Sequence, residues 1–298
     1  MTHVFLSPHF DDAIGSCGGT ISRLCRASDH VTVHTIFAGH ASPPYSALAT
    51  RLHAEWCSGD SPVAVRRLED ARACRVLGCR ARYSDWLDAI YRRPTATNSA
   101  LPVRARRPLL APDHAPPDDW LYPDHAALFG VVAARDRSLP ARIARQLLAS
   151  IQARNARHLA DTRFYTPLGV GHHVDHVLAF LAGRELQARG ADVRFYQDFF
   201  YTDWNCPHLA ELRRRAHVAL FSAADFARKL RAFQCYRSQI PTLFGSAARA
   251  ASYFAEANRQ ASRGSAYCEI FWQVEQDESA STRPSGASLE HDGAIDIE

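Results

Sequence analysis

Two short runs hold most of the residues whose types can do chemistry. The first is Pro8-His9-Phe10-Asp11-Asp12, and the second is Gly171-His172-His173-Val174-Asp175-His176. Together they offer the nitrogen and oxygen donors of a three-ligand hydrolytic zinc site, with a carboxylate to spare. His9 and Asp12 stand three positions apart, so in a turn they can converge on one ion. Asp11 lies between them and must point elsewhere, yet stays within reach of a water on that ion. Zinc lowers the pKa of such a water to about 7, and a free carboxylate beside it can take a proton as the water attacks. The competing reading is helix capping, since Asp-Asp ahead of a helix commonly accepts orphan backbone N–H groups. A preceding strand, Pro8, His9 and the distant histidine cluster weigh against it. In the second run His173 and His176 are spaced i, i+3 and share a face at a helix start. One can bind metal while the other faces a substrate. Asp175 can orient an imidazole by accepting its N–H, or simply cap the helix.

The elements that must position these residues alternate. Thr2 to Leu6 reads as a buried strand ended by Pro8, and Thr20 to Ala27 as a helix after Gly15, Gly18 and Gly19. His9, Asp11 and Asp12 therefore fall on a strand-to-helix turn. Arg163 to Leu168 reads as a second strand, followed by a pliable loop at Gly169 and Gly171 and a helix from Val177 to Ala188. Further strands are expected over Val31–Phe37 and Val193–Tyr196. Helices are expected over Leu139–His158 and Pro62–Leu77, the latter closed by Gly78. This order predicts an α/β fold, a Rossmann-like and mostly parallel sheet flanked by helices. Its active site would lie at the carboxyl ends of the strands. One domain is expected over 1–276, with an irregular Pro-rich insertion at 94–124 that would act as a flap, and a disordered acidic tail at 277–298.

The first motif, the glycine pair that follows it, and His173-Val174-Asp175-His176 resemble the PIG-L/LmbE-like zinc-dependent N-acetylglucosaminyl deacetylases, whose motifs are Pro-His-x-Asp-Asp and His-x-Asp-His. The resemblance runs from residue 3 to about 275. It implies zinc bound by His9, Asp12 and His176, with Asp11 as general base. It gives His173 an acid or electrostatic role, as an imidazolium that would stabilise the oxyanion and hand a proton to the leaving amine. Ala13 stands where many members carry Glu, in a pattern shared with a sub-branch that has Pro167-Leu168-Gly169-Val170-Gly171 before the second motif. Zinc binding does not need that Glu, but no substrate can be transferred from the Glu-bearing members.

Arg66 and Glu69 match an Arg-x-x-Glu pair of the family, whose Arg helps bind the sugar; the alternative is an i, i+3 salt bridge. Asp88 is expected to accept sugar hydroxyls, with Tyr91 and Arg92 at the pocket wall. Trp86 either stacks on a sugar or fills the core, and the core is favoured. Asp198 follows a strand and is expected to hold the ring of His173. Tyr236-Arg237-Ser238-Gln239 resembles a late family segment near the active site.

The chain has 298 residues, 47% of them hydrophobic, enough for one large α/β domain. Net charge is +4, and among its 35 basic residues Lys229 is the single lysine. The arginines are scattered, with Arg213-Arg214-Arg215 the densest run. That run reads as a solvated helix face, which argues against nucleic-acid binding. Eight cysteines form no Cys-x-x-Cys pair, and a cytoplasmic enzyme with buried thiols is expected. Cys17 is a possible stray ligand. Neither a signal peptide nor a membrane span is visible. The expected activity is removal of acetyl from an N-acetylamino sugar in a glycoconjugate or secondary metabolite, with Zn2+ or another divalent metal such as Fe2+. The alternatives are a hydrolase of another amide and a catalytically inactive sugar-binding protein. Retention of Asp11 beside three ligands argues against the last.

Overall fold

The computed structural model describes residues 1–56, 59, 61–94, 120–152, 159–199, 201, 206, 209, 212, 214–262 and 267–275. The expected tail at 277–298, and the expected insertion at 94–124 apart from Pro94 and residues 120–124, lie outside them.

Seven strands form one sheet: β1 (Thr2–Ser7), β2 (His30–Thr35), β3 (Arg80–Tyr83), β4 (Thr162–Pro167), β5 (Asp192–Tyr196), β6 (Arg214–Phe221) and β7 (Tyr267–Val274). Their spatial order is β3-β2-β1-β4-β5-β7-β6. The first five strands in that order are parallel, and β7 runs antiparallel to both β5 and β6. The described α-helices are α1 (Asp12–Arg26), α2 (Ala47–Glu55), α3 (Pro62–Leu77), α4 (His125–Leu128), α5 (Leu139–Gln152), α6 (Val174–Ala188), α7 (Ala223–Phe233), α8 (Ile240–Phe244) and α9 (Ala247–Ser262). The α/β fold with a mostly parallel sheet is as expected.

Strand alternation divides the core into two layers. Val4 and Leu6 of β1 face α5 and α6, where they meet Leu147, Leu178 and Leu186. Phe5, between them, faces α1, α3 and α7 with Ile14, Ala73 and Phe233. The strand order reverses between β1 and β4, which makes this pair the topological switch point of the sheet. The loops leaving their carboxyl ends diverge there and open a crevice. The two motifs sit on those two loops.

Several boundaries differ from expectation. Helix α1 starts at Asp12 rather than Thr20, so Gly15, Gly18 and Gly19 are helical. They serve close packing and not a turn: a Cβ on Gly19 would stand 2.4 Å from the Phe221 ring, and one on Gly18 2.8 Å from Lys229 Cγ. Helix α6 starts at Val174 rather than Val177, with His173 as its N-cap. Helix α5 is described to Gln152, and residues 153–158 lie outside the description. Arg214 and Arg215 begin strand β6 rather than lining a helix, because the alternating run that follows pairs along β7. Arg213 is not among the described residues. Gly78 ends α3 in the left-handed region, φ 85°, as its position after Leu77 predicted.

Gly183 allows α6 to lie close on β4: a Cβ there would meet Thr166 Oγ1 at 2.4 Å and its Cγ2 at 2.9 Å. Thr166 belongs to a central strand and cannot retreat. Gly183→Val is therefore expected to lower unfolding free energy by about 1–3 kcal/mol, measured by urea denaturation.

Candidate active site

The turn after β1 is closed by its own side chains, which bond its backbone. Ser7 Oγ accepts the Ala13 N–H at 2.9 Å and donates to the His9 carbonyl at 2.5 Å. The Asp12 carboxylate accepts the His9 N–H at 2.7 Å. Asp11 is the N-cap residue of α1, but its side chain makes no capping bond. The capping reading therefore fails for Asp11, whose carboxylate is left for other work.

Asp12 Oδ2 is the point on which the two runs converge. It lies 3.2 Å from His9 Nδ1 and 3.3 Å from His176 Nε2. One donor atom each from His9, Asp12 and His176 falls within 4.8 Å of the others, so the trio can hold a metal. His176 Nε2 is buried and has no hydrogen-bond partner, a costly state for a lone protein atom and a natural one for a metal ligand. The other nitrogen of each ring is anchored from behind: His9 Nε2 lies 3.1 Å from Asp175 Oδ2, and His176 Nδ1 lies 2.5 Å from Asp198 Oδ1. Carboxylates that hold the far nitrogen of an imidazole are the usual support of metal-bound histidine. These residues fit a divalent metal. A second trio, His9, His173 and Asp175, is also close enough, but Asp175 is already engaged by Arg92 and by the Ala89 N–H at 2.9 Å.

Two expectations are corrected here. Asp198 holds His176 and not His173, because its other oxygen is pinned by the N–H groups of Gly169 (2.8 Å) and Val170 (3.1 Å) on the near side of α6. Arg92 does not line a pocket. It is completely buried and pairs with Asp175 and, at 2.9 Å, with Asp136, which also accepts the Tyr122 hydroxyl at 2.9 Å. Arg92 thus fixes the carboxylate that fixes His9.

Asp11 is buried, and burial pushes its carboxyl above the ordinary range. Arg66 works against that shift from 3.3 Å, and the neighbouring Asp12 adds to it. Arg66 lies flat over Trp56 at 4.7 Å and near Phe10 at 5.4 Å. It does not pair with Glu69, which instead accepts the Ser238 N–H at 2.9 Å and hydroxyl at 2.6 Å. The segment 236–239 is thereby brought beside α3, where the Tyr236 hydroxyl also bonds Asp70 at 2.7 Å.

His173 sits beside the trio, its ring 5.0 Å from His9 and 5.4 Å from His176. Burial, then the neighbouring His9, hold it well below the usual histidine value. Its Nδ1 accepts the Asp175 N–H at 3.2 Å, so the ring proton must be on Nε2. The expected imidazolium is corrected to a neutral ring with a fixed Nε2–H donor.

Of the remaining candidates, Asp88 is at the site, its Oδ2 3.6 Å from His9 Nε2. Tyr91 is buried with its hydroxyl 2.6 Å from His53 Nε2, so it backs the wall rather than lining it. Trp86 fills the core and donates to Gln146 at 2.7 Å. Cys17 is buried in apolar packing and belongs to neither metal-capable trio. Sequence reasoning missed Ser7, Asp136 and two aromatic neighbours. Phe129 packs edge-on to His173 at 5.3 Å, and Tyr201 edge-on to His176 at 5.0 Å. No local pattern marks Asp136, Phe129 and Tyr201, because their partners are distant in sequence.

The GlcNAc-PI de-N-acetylase (PIG-L) family model matches residues 4–186, which contain both motifs. The chain belongs to this family of N-deacetylases. It is 28% identical to a 2'-N-acetylparomamine deacetylase of Niallia circulans, over 93% of this chain and 92% of the relative. It is also similar to the crystal structure of a deacetylase from the teicoplanin biosynthesis pathway, with a TM-score of 0.75, 26% identity and coverage of 93% of this chain and 99% of that one. The A40926 pseudoaglycone deacetylase gives a TM-score of 0.68 at 27% identity, covering 92% of this chain and 97% of its own. A zinc-inhibited form of teicoplanin deacetylase is among the similar structures, with a TM-score of 0.73 at 27% identity, covering 93% of this chain and 99% of that one. Among the described residues no helix is long and apolar enough to cross a membrane.

Burial opposes charge on His176, but Asp12 and Asp198 outweigh it and push the ring up to about 9. A histidine must lose its proton to bind metal. Below pH 9, each proton displaced should weaken apparent metal affinity about tenfold per pH unit of acidification. Competition with a chelator across pH 6–9 checks this, with proton release measured in buffers of different ionisation enthalpy. A flat affinity would contradict the ligand geometry.

Proposed function

We propose that the protein is a zinc-dependent hydrolase that removes acetyl from an N-acetylamino sugar carried on a glycoconjugate or secondary metabolite. In this reading His9, Asp12 and His176 hold the zinc, Asp11 is the general base and His173 the oxyanion donor. The observation that carries it is the division of labour around Asp12. Three donor atoms converge on one point, while the adjacent Asp11 carboxylate stays outside the trio, uncapped and next to Arg66. A pure binding site has no use for that extra carboxylate. The substrate class is supported by the names of the relatives, one a 2'-N-acetylparomamine deacetylase and others deacetylases of the teicoplanin biosynthesis pathway and of the A40926 pseudoaglycone.

When bound, zinc supplies a Lewis acid that polarises the amide oxygen and acidifies water. Asp11 takes the proton of the attacking water as the new C–O bond forms at the acetyl carbon. Its raised pKa suits a group that must accept a proton and then release it. The His173 Nε2–H donates to the oxygen on which negative charge develops. A neutral imidazole is a poor proton donor to nitrogen, so the proton held by Asp11 passes to the departing amine. The C–N bond breaks, releasing acetate and the free amino sugar. Arg66 opposes the effect of burial on the Asp11 carboxylate, and Asp88 stands where a sugar hydroxyl can reach it. The described cysteines are all free thiols, which suits a reducing compartment such as the cytoplasm.

Two variants test these roles with acetate release and metal content measured together. Asp11→Asn is nearly isosteric and should keep its metal while losing about 10²–10⁴-fold in kcat; near-normal turnover would remove Asp11 as the base. His173→Ala should also keep its metal and lose about 10²–10³-fold in kcat, the effect of deleting one oxyanion donor. Because burial holds the ring well below the usual histidine value and its Nδ1 accepts a backbone N–H, the shape of the pH profile at and above neutrality should persist. Loss of metal would instead make His173 a ligand.

A further inference from the structure

Arginines that look scattered along the chain are gathered by the fold at a second place. Residues alternate across a strand, so Arg163 and Tyr165 of β4 share a face, as do Arg215 and His217 of β6. The register sets His3 beside Arg163, Tyr165 beside Arg194, and His217 beside Phe271. Arg23, in the last turn of α1, overhangs this face. The result is a groove of about 400 Å³, within the usual range for small-molecule sites. It lies toward the amino ends of β1, β4 and β6, away from the edge that carries His9 and His176.

Its charge is unbalanced. The lining contains Arg23, Arg163, Arg194 and Arg215 and no carboxylate. Asp192 offsets part of this, 2.6 Å from Arg163 Nε and 2.9 Å from Arg194 Nη1. Among the described residues neither Arg23 nor Arg215 forms an ion pair, and Arg23 Nε is buried with no hydrogen-bond partner. The floor is aromatic, with Tyr165 and Phe271 edge to face at 5.3 Å. A groove with excess guanidinium concentrates anions, and guanidinium forks match phosphate oxygens in pairs.

We propose that this groove is a second binding site, separate from the deacetylase centre, for a small molecule carrying a diphosphate. A singly charged anion would leave the excess charge unmet, whereas a diphosphate carries enough negative charge to answer both Arg23 and Arg215, which line the same groove. The test is calorimetric titration of the metal-loaded full chain at fixed ionic strength with orthophosphate, pyrophosphate and ADP. Saturable one-to-one binding of pyrophosphate or ADP is expected, about tenfold tighter than orthophosphate. ADP binding more tightly than pyrophosphate would assign the floor to a nucleoside, and equal binding would assign recognition to the diphosphate alone. Arg23→Gln and Arg215→Gln should each weaken binding about tenfold or more. Arg75→Gln, on the exposed face of α3, removes the same charge elsewhere and should not. Arg215→Gln should leave acetate release unchanged. Diphosphates also bind metals, so the titration is repeated on His176→Ala, where binding should persist. Absence of saturable binding in the millimolar range, loss of binding in His176→Ala, or equal weakening by Arg75→Gln would each overturn the proposal.

Discussion

The site depends on two imidazoles that are each held from behind by a buried carboxylate. Asp175 fixes His9 and Asp198 fixes His176, leaving His9 Nδ1 and His176 Nε2 aimed at one oxygen of Asp12. Neither ring can turn away without breaking a buried charge-assisted bond, which costs more than an exposed one. The price of that rigidity is a concentration of negative charge. Asp11, Asp12, Asp175 and Asp198 are all buried within one crevice, and buried charges persist only when compensated. Arg66 compensates Asp11 and Arg92 compensates Asp175. Asp12 keeps its charge against burial through His176 and His9, a balance that a divalent cation would meet directly.

The fold supplies the anchors from separate directions. Asp12 and His9 come from the loop after β1, His176 from α6 after β4, and Asp198 from the loop after β5. The Tyr196 hydroxyl ties β5 to β1 through the Leu6 carbonyl at 2.8 Å. Arg66 is delivered by α3, whose own place is held by the Glu69–Ser238 and Asp70–Tyr236 bonds. Asp70 is pushed up to about 7 by burial, against its bonds to Tyr236 and Tyr83, so this contact too is made in a dry interior. The segment after α7 therefore acts on the site through α3.

The candidate trio was legible because each member lies in the loop or first helical turn that follows a strand, within a few residues of another candidate, and the family resemblance implied which three would be ligands. The same local logic failed where the partner is remote. Arg92 looked like a pocket residue because it follows Asp88, but its partners Asp136 and Asp175 are 44 and 83 residues away. Asp198 was correctly placed at the site, yet its partner was misassigned. Which imidazole it reaches depends on Gly169 and Val170 folding back over it, and that loop shape is not encoded in residue spacing. Gly15, Gly18 and Gly19 precede the helix expected from Thr20, and helix propensity disfavours glycine, yet all three lie inside α1. Tertiary packing against Phe221 and Lys229 overrides that preference. The imidazolium expected of His173 gives way to a neutral ring, because burial and the single Asp175 N–H on its Nδ1 leave no trace in residue spacing.

In the proposed function, metal binds between His9, Asp12 and His176, with Asp11 and His173 left free to act on the substrate. Anomalous diffraction at the zinc edge from crystals of the zinc-loaded protein tests it most directly. The account predicts one strong peak per chain within bonding distance of His9 Nδ1, an Asp12 carboxylate oxygen and His176 Nε2. A principal peak bonded instead to His173 and Asp175, or to Asp11, would contradict it.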